Sequence, residues 1–149
     1  MINGEKETGV TTFKLKHEID TGNTLLREAF PIREEDTAGD VHDRMKEIGA
    51  ALLVQTLRGI ADGTIEEAPQ STDGNLSVKT APKLFTEHGR IDWNRGVDEI
   101  YNQIRGLSPY PGAFCHLDDK LLKIFKARKE KGTPATAPGD YQTDYKTFL

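Results

Sequence analysis

Two residues whose side chains can transfer protons lie close together in a segment with the composition of a turn. His17 and Asp20 are three residues apart, and the D-T-G-N run at residues 20–23 is typical of a turn. A carboxylate in such a turn either closes the turn with its own side chain or faces a neighbouring group that exchanges protons. The residues alone leave both interpretations of Asp20 open.

The other reactive side chains form no recognisable constellation. Cys115 is the only cysteine, so it has no partner for a disulfide or a C-x-x-C metal pair, and we interpret it as a structural thiol. The histidines are scattered without metal-ligand spacing, and they are His17, His42, His88 and His116. We therefore predict no bound metal.

Basic residues cluster late in the chain. The cluster comprises Lys120, Lys123, Lys126, Arg128, Lys129 and Lys131. Such a cluster can neutralise nucleic-acid phosphates without reading bases, but it is also consistent with a solvated strand face that carries alternating lysines. Residues 1–82 contain 9 basic and 15 acidic residues, whereas residues 83–149 contain 11 and 9. This asymmetry favours the second part of the chain as the one that faces an anionic partner.

Two extended segments must position the loop that contains Asp20. Residues 8–16 are rich in β-branched side chains and alternate in the manner of a strand. A second extended run, Thr24–Pro31, follows closely enough to pair with the first. We predict an antiparallel hairpin whose connecting loop is residues 17–23.

A long amphipathic helix is predicted over Ala38–Ala61, with Thr37 as its N-cap and Gly63 at its C-terminal stop. Its apolar stripe consists of Val41, Met45, Ile48, Leu52, Leu53, Leu57 and Ile60. A stripe of this width is expected to pack against a sheet.

The chain then loses periodicity and accumulates Gly, Pro, Ser and Thr, which predicts a linker at residues 64–83 between domains at 1–63 and 84–149. In the second domain we predict a short helix that begins at an Asn94 cap and ends near Gly106. Extended segments are predicted at residues 113–117, 120–128 and 141–149.

Several segments, in their order along the chain, resemble the folate-dependent formyltransferase family. They are INGEKETGVTTFKLKHEIDTGN at residues 2–23, EDTAGDVHDRMKEIGAALL at 35–53, GRIDW at 89–93, IRGLSPYPGAF at 104–114, KLLKIFKA at 120–127 and APG at 137–139. Within that family the sequence is most similar to the methionyl-tRNA formyltransferases. The resemblance implies the C-terminal part of a Rossmann-like α/β catalytic domain, made of the hairpin and the long helix, followed by the beginning of an OB-like β-barrel domain.

The resemblance also implies a reaction in which 10-formyltetrahydrofolate gives its formyl group to the methionyl α-amine of initiator tRNA, in translation initiation. The family uses an Asn-x-His pair and an aspartate, which Asp20 matches. The neighbouring residues match the stretch whose backbone helps to enclose the pterin ring, and they are Lys16, His17, Glu18, Ile19 and Thr21.

No asparagine of the sequence is followed two positions later by histidine. We therefore expect the Asn-x-His pair to lie upstream of Met1 and the 149-residue chain to be inactive alone. The family's catalytic histidine comes from a different strand, so His17 is interpreted as a loop residue and not as the missing base.

The partner implied by the resemblance is initiator methionyl-tRNA, contacted by the six cations, and the implied parent enzyme is monomeric and cytoplasmic, without an obligate protein partner. No apolar run approaches the ~20 residues of a membrane-spanning helix. Trp93 is expected to pack at an interdomain contact, and Arg105 is a candidate for a tRNA or interdomain contact.

Two alternatives stay open at this point. A sugar-nucleotide formyltransferase has the same catalytic domain and a similar linker region, and the missing upstream sequence would separate it from the tRNA enzyme. A non-catalytic RNA-binding fragment is the other alternative, because the Asn-x-His pair is missing and the lysine-rich cluster is present.

Overall fold

The computed structural model describes residues 1–70, 79–132, 137–141 and 143, and the chain falls into two compact units. We call Glu5–Lys83 the hairpin–helix unit, and Met1–Gly4 together with Leu84–Leu149 the C-terminal unit. Most of the strand predicted at 141–149 lies outside the described residues. The domain boundaries at 1–63, 64–83 and 84–149 stay a prediction.

The hairpin–helix unit begins with the predicted antiparallel hairpin. Strand β1, Glu7–Phe13, pairs with strand β2, Thr24–Pro31, and the register is irregular between Thr11 and Phe13. The first strand is shorter than the predicted segment 8–16, because beyond Phe13 the chain leaves the ladder and enters the loop. The loop therefore begins at Lys14, earlier than the predicted residue 17, and ends at Asn23, directly before β2.

Helix α1, Ala38–Ala61, has the predicted bounds because its end signals are local. Thr37 Oγ1 accepts a hydrogen bond from the backbone N–H of Asp40 (3.2 Å), and the Asp40 carboxylate accepts one from the Thr37 N–H (2.8 Å). This capping box stabilises the first turn by about 1 kcal/mol. Gly63 adopts a φ of 64°, in the left-handed region that favours glycine after a helix.

Helix α1 packs on the hairpin along one side only. Val41, Leu52 and Thr56 are buried, and the hydroxyl oxygen of Thr56 lies 2.9 Å from that of Thr12 on β1. The residues that widen the stripe are largely exposed, and they are Leu53, Leu57 and Ile60. The prediction that the whole stripe packs on a sheet is wrong for these three, because two strands about 5 Å apart are too narrow to cover it.

A partly buried ion pair joins the end of β2 to the start of α1. The Asp36 carboxylate accepts hydrogen bonds from Arg44 Nη2 (2.6 Å) and from the Arg33 backbone N–H (2.8 Å). The second terminal nitrogen of Arg44, Nη1, donates to the Pro31 carbonyl (2.9 Å). The loss of either charged partner would leave the other poorly solvated, so this connection is sensitive to substitution.

The C-terminal unit contains helix α2, Val97–Gly106, and a hairpin of strands β3, Ala113–Leu117, and β4, Lys120–Ile124. Strand β3 has the predicted bounds, whereas β4 ends before the predicted residue 128. Asp118 and Asp119 have φ values of 47° and 61°, and this left-handed pair forms the tight turn between the strands.

The predicted Asn94 cap of α2 is wrong. The helix starts after Gly96, whose N–H donates to the Glu99 carboxylate (3.1 Å). Asn94 instead donates through its backbone and side-chain nitrogens to Asp92 Oδ1 (3.0 Å each), which makes a separate turn before the helix. The Asn94 side chain is thus bound to Asp92, and Glu99 caps the first turn of α2 in its place.

The core of the C-terminal unit is a small cluster of Ile91, Ile104, Leu107 and Ala113. The partly buried residues packed against it are Ile2, Trp93, Ile100, Ile124 and Ala127. The described residues of this unit form a two-stranded sheet and not a closed barrel, so the OB-like barrel stays a prediction.

Substitution of the buried and the exposed leucine of α1 tests which side of the helix carries stability. Leu52 is 3% exposed and Leu53 is 52% exposed. We expect Leu52→Ala to lower the stability of the hairpin–helix unit by about 2–5 kcal/mol, because it leaves a cavity. Leu53→Ala, the matched control, should cost less than about 1 kcal/mol, because this side chain is already half exposed. Hydrogen exchange of the β1–β2 ladder amides measures both, and equal losses would contradict this packing.

Candidate functional site

Asp20 lies in the exposed loop that connects β1 to β2, which we call the D-T-G loop, residues 14–23. It has a φ of 60°, a left-handed conformation that aspartate adopts more readily than most residues. Its side chain is exposed, and within the described parts of the chain no hydrogen-bond partner of the carboxylate is found. The carboxylate is thus presented outward and is able to accept a hydrogen bond or a proton.

The two ends of the loop meet at Gly22. A Cβ at this position would overlap the carbonyl oxygen of Lys14, so the close approach needs glycine. Next to it, the Lys14 N–H donates to the Asn23 carbonyl (2.9 Å). Within the loop, the Thr21 hydroxyl donates to the Glu18 carbonyl (3.0 Å). These contacts give the loop a narrow neck and a defined turn.

A later segment, residues 67–70, returns to this neck, and we call it the latch segment. Thr24 and Ala68 exchange two backbone hydrogen bonds, of 2.8 and 2.9 Å. The carboxylate of Glu67 accepts from Lys14 Nζ (2.6 Å) and from Asn23 Nδ2 (3.1 Å). Residues 67–70 fall in the predicted linker, and the structure holds them against the hairpin.

Gln70 contacts the Asp20 turn directly. Its side-chain nitrogen Nε2 donates to the carbonyl oxygens of Asp20 (2.7 Å) and Gly22 (2.8 Å). The sequence pattern predicted no role for this residue. Since Gln70 is 50 residues from Asp20 and follows a proline in a segment without periodicity, no pattern in one sequence indicates the contact.

The structure brings the predicted folate-contact residues together with Asp20 in the same loop. They are all exposed, and they are Lys16, His17, Glu18, Ile19 and Thr21. Ile19 is the extreme case, because this apolar side chain is 88% exposed. Lys16 Nζ lies 3.3 Å from Asn23 Oδ1 and so contributes to the loop neck. A ligand role for these residues stays a prediction.

The predicted phosphate-binding cations are spread over different surfaces. Lys120 and Lys123 lie three residues apart on β4, so strand alternation places them on opposite faces. Lys123 Nζ donates to the Pro111 carbonyl (3.0 Å).

Two further cations beyond β4 have acidic partners. Lys129 pairs with Asp98 (2.8 Å) and lies 4.8 Å from the centre of the Tyr101 ring, while Arg128 pairs with Glu130 (2.5 Å). In the described ranges, no ion pair is found for the remaining three cations, which are Lys120, Lys126 and Lys131.

Trp93 and Arg105 both contact other residues of the C-terminal unit. Trp93 packs against the core cluster, and Gly139 lies beside its indole ring. Arg105 is 4% exposed, and its Nε donates to Asn102 Oδ1 (2.8 Å). A surface contact between Arg105 and tRNA is therefore not available in this conformation.

Cys115 is partly buried on β3, and burial raises the pKa of its thiol above the ordinary value. A neutral thiol is a weak nucleophile and a weak metal ligand. Among the residues that the structure describes, no group of three or more His, Cys, Asp or Glu side chains is arranged to hold a metal ion. No helix in the same ranges has the length and hydropathy needed to cross a membrane.

Two models of one protein family match the sequence. The formyl transferase model matches residues 1–57, and the model of the formyl transferase C-terminal domain matches residues 83–149. All of the D-T-G loop lies within the first match, whereas the latch segment lies between the two.

Two relatives and one solved structure are similar over nearly the whole chain. Methionyl-tRNA formyltransferases of Azobacteroides pseudotrichonymphae and Phocaeicola vulgatus are 51% and 41% identical over the full chain, which covers 48% of each. An N-formyltransferase of Helicobacter canadensis, solved with folinic acid and dTDP-3-aminofucose, superposes with a TM-score of 0.72 at 24% identity, over 99% of this chain and 52% of that one. The chain spans about half the length of these relatives.

The latch contact at Glu67 should depend on pH. Hydrogen bonding from Lys14, and then from Asn23, lowers the pKa of the Glu67 carboxyl below its ordinary 4.5. The contact is therefore complete above pH 4.5 and is lost as the pH falls through the lower, folded-state pKa. In an NMR titration of the Glu67 carboxyl carbon we expect a midpoint below 4.5.

Lys14→Met should raise that midpoint, because it removes the largest cause of the shift. Lys6→Met is the matched control, since Lys6 pairs with Glu34. A midpoint that Lys14→Met leaves unchanged would show that Glu67 does not pair with Lys14 in solution.

Proposed function

The chain belongs to the formyl transferase family, and we propose from this that it acts within a methionyl-tRNA formyltransferase. The reaction would move a formyl group from 10-formyltetrahydrofolate to the α-amine of methionine esterified to initiator tRNA. The observation that supports the proposal most directly is the outward-facing Asp20, held in a defined turn within the segment that the family model matches.

The choice of tRNA as the acceptor follows from the degree of similarity. The relatives at 51% and 41% identity are methionyl-tRNA formyltransferases, whereas the sugar-nucleotide complex comes from a protein at only 24% identity, so its acceptor is not carried over to this chain. That structure contains folinic acid, a folate derivative, which is consistent with a folate cosubstrate for this chain. We therefore prefer the tRNA enzyme to a sugar-nucleotide formyltransferase.

The chemistry requires that the amine nitrogen form a bond to the formyl carbon while the bond from that carbon to N10 of the folate breaks. The amine loses a proton, and the folate nitrogen gains one. By resemblance, Asp20 would hold and charge-balance the protonated histidine of the Asn-x-His pair and help to order the water that relays protons. This chain supplies the carboxylate, and its sequence contains no Asn-x-His pair.

Binding of tRNA would fall to the C-terminal unit, which we propose is the start of an OB-like domain. The cations best suited to contact phosphates are those that are exposed and without an ion pair in the described ranges, namely Lys120, Lys126 and Lys131. By the same resemblance the enzyme would act in the cytoplasm as a monomer. The domain division at 1–63, 64–83 and 84–149 belongs to this proposal.

A chimera tests the role of Asp20. This chain would replace the matching segment of the Azobacteroides pseudotrichonymphae enzyme, and formyl transfer from 10-formyltetrahydrofolate to methionyl-tRNA would be measured. We expect Asp20→Asn to lower kcat by about 100-fold or more, the scale of an acid–base contribution. Asparagine also tolerates the left-handed φ of 60°, so the turn should survive the substitution.

Asp119→Asn is the matched control, because Asp119 is also an exposed aspartate with a φ of 61°. It should leave kcat unchanged. An active chimera whose kcat is the same with and without the Asp20 carboxylate would remove Asp20 from the mechanism. Activity of the 149-residue chain by itself would contradict the proposed need for further catalytic residues.

Lys126→Gln in the same chimera tests the phosphate contact. It should weaken methionyl-tRNA binding and reduce the slope of log Kd against log salt concentration by about one. Lys46→Gln is the control, because Lys46 is an exposed lysine on α1 that pairs with Asp43. Identical slopes for the two variants would show that Lys126 does not contact a phosphate.

A further inference from the structure

We propose that Gln70 is a positioning residue for Asp20, and that the latch segment is therefore part of the catalytic machinery. The inference rests on the proposed catalytic role of Asp20. It adds a residue from outside both family matches, which end at residue 57 and resume at residue 83.

The side-chain amide of Gln70 has the donor capacity that the turn requires. A primary amide nitrogen carries two hydrogens, and Nε2 lies 2.7 Å from the Asp20 carbonyl and 2.8 Å from the Gly22 carbonyl. The opposite orientation of the amide would place its oxygen against two carbonyl oxygens, so the hydrogen-bond pattern fixes which end faces the turn. One side chain thus satisfies two backbone acceptors of an otherwise exposed loop.

The position of these acceptors explains how Gln70 would act through Asp20. The two carbonyls belong to the residues on either side of Thr21. Their hydrogen bonds therefore fix the peptide planes that follow Asp20 and Gly22, and with them the direction in which the Asp20 side chain leaves the backbone. Because Asp20 has a left-handed φ of 60°, release of the turn gives it access to more common conformations.

The latch segment that carries Gln70 is itself hydrogen-bonded to the hairpin. Ala68 is held to Thr24 by two backbone hydrogen bonds, and Pro69 restricts the backbone between this anchor and Gln70. Glu67 adds side-chain contacts to Lys14 and Asn23. The backbone that carries the Gln70 amide is therefore held in place, and a held backbone is the condition for precise positioning of another residue.

The test uses Gln70→Glu in the chimera, since glutamate has the same shape but loses both donors and places a charge near two carbonyl oxygens. A carboxylate misplaced by about an ångström costs up to ~100-fold in rate. We expect kcat to fall at least tenfold, with the KM for methionyl-tRNA and the melting temperature unchanged. Gln55→Glu, at an exposed glutamine of α1, is the matched control and should change neither kinetic constant.

The Asp20→Asn background separates positioning from a general structural role. If Gln70 acts through the carboxylate, Gln70→Glu should cause no further loss of kcat once that carboxylate is gone. Additive losses, or an unchanged kcat for Gln70→Glu in the presence of Asp20, would overturn the inference. A chimera in which Asp20→Asn itself has no effect would instead refute the proposed function.

The full 149-residue chain gives a second measurement that does not depend on activity. By NMR, the side-chain amide protons of Gln70 should exchange more slowly than those of Gln55. In the Gln70→Glu chain, the carbonyl carbon shifts of Asp20 and Gly22 should change while those of the β1–β2 ladder stay constant. Equal exchange at the two glutamines, or unchanged carbonyl shifts, would show that the contact does not form.

Discussion

Thr24 and Ala68 exchange two backbone hydrogen bonds at the neck of the D-T-G loop, and the position of Asp20 depends on this pairing. It brings the latch segment beside the loop neck, where the absence of a side chain at Gly22 lets the backbone of Lys14 approach closely. Only with the segment held there does Gln70 lie within hydrogen-bond distance of the turn. A loop that would otherwise be defined by one tight turn gains a second, distant support.

The hairpin that carries this loop is supported from one side by α1. The helix is fixed at its start by a capping box and by the Asp36–Arg44 pair, and along its length by Leu52 and by the Thr12–Thr56 contact. The exposed loop is therefore attached to a hairpin that α1 supports. An accessible loop on a supported scaffold is the usual way in which folds present functional residues.

Local signals allowed much of the fold to be predicted. The bounds of α1, β2 and β3 follow from caps, alternation and turn residues that lie within a few positions of each element. The Asn94 cap was wrong because Asp92 and Glu99 offer competing local partners, and sequence does not rank them. The prediction that the whole apolar stripe of α1 packs on a sheet was also wrong in part. Periodicity indicates which face of a helix is apolar and not how many strands are present to cover it.

The site was only partly predictable for a different reason. Asp20 was singled out through the family resemblance of its segment, since the D-T-G turn alone left its role open. The proposed role of Gln70 depends on a contact across 50 residues, from a stretch whose composition indicates only a linker. The cations between 120 and 131 form a cluster in sequence, but strand alternation and ion pairs such as Lys129–Asp98 divide them in space. Long-range contacts of this kind need the fold before they can be recognised.

The most direct test of this account is a crystal structure of the chimera bound to a folate analogue. We predict that the Asp20 carboxylate lies within hydrogen-bond distance of the histidine of the Asn-x-His pair, with the Gln70 amide on the Asp20 and Gly22 carbonyls. An Asp20 side chain turned away from that histidine, or a latch segment detached from the loop, would contradict it.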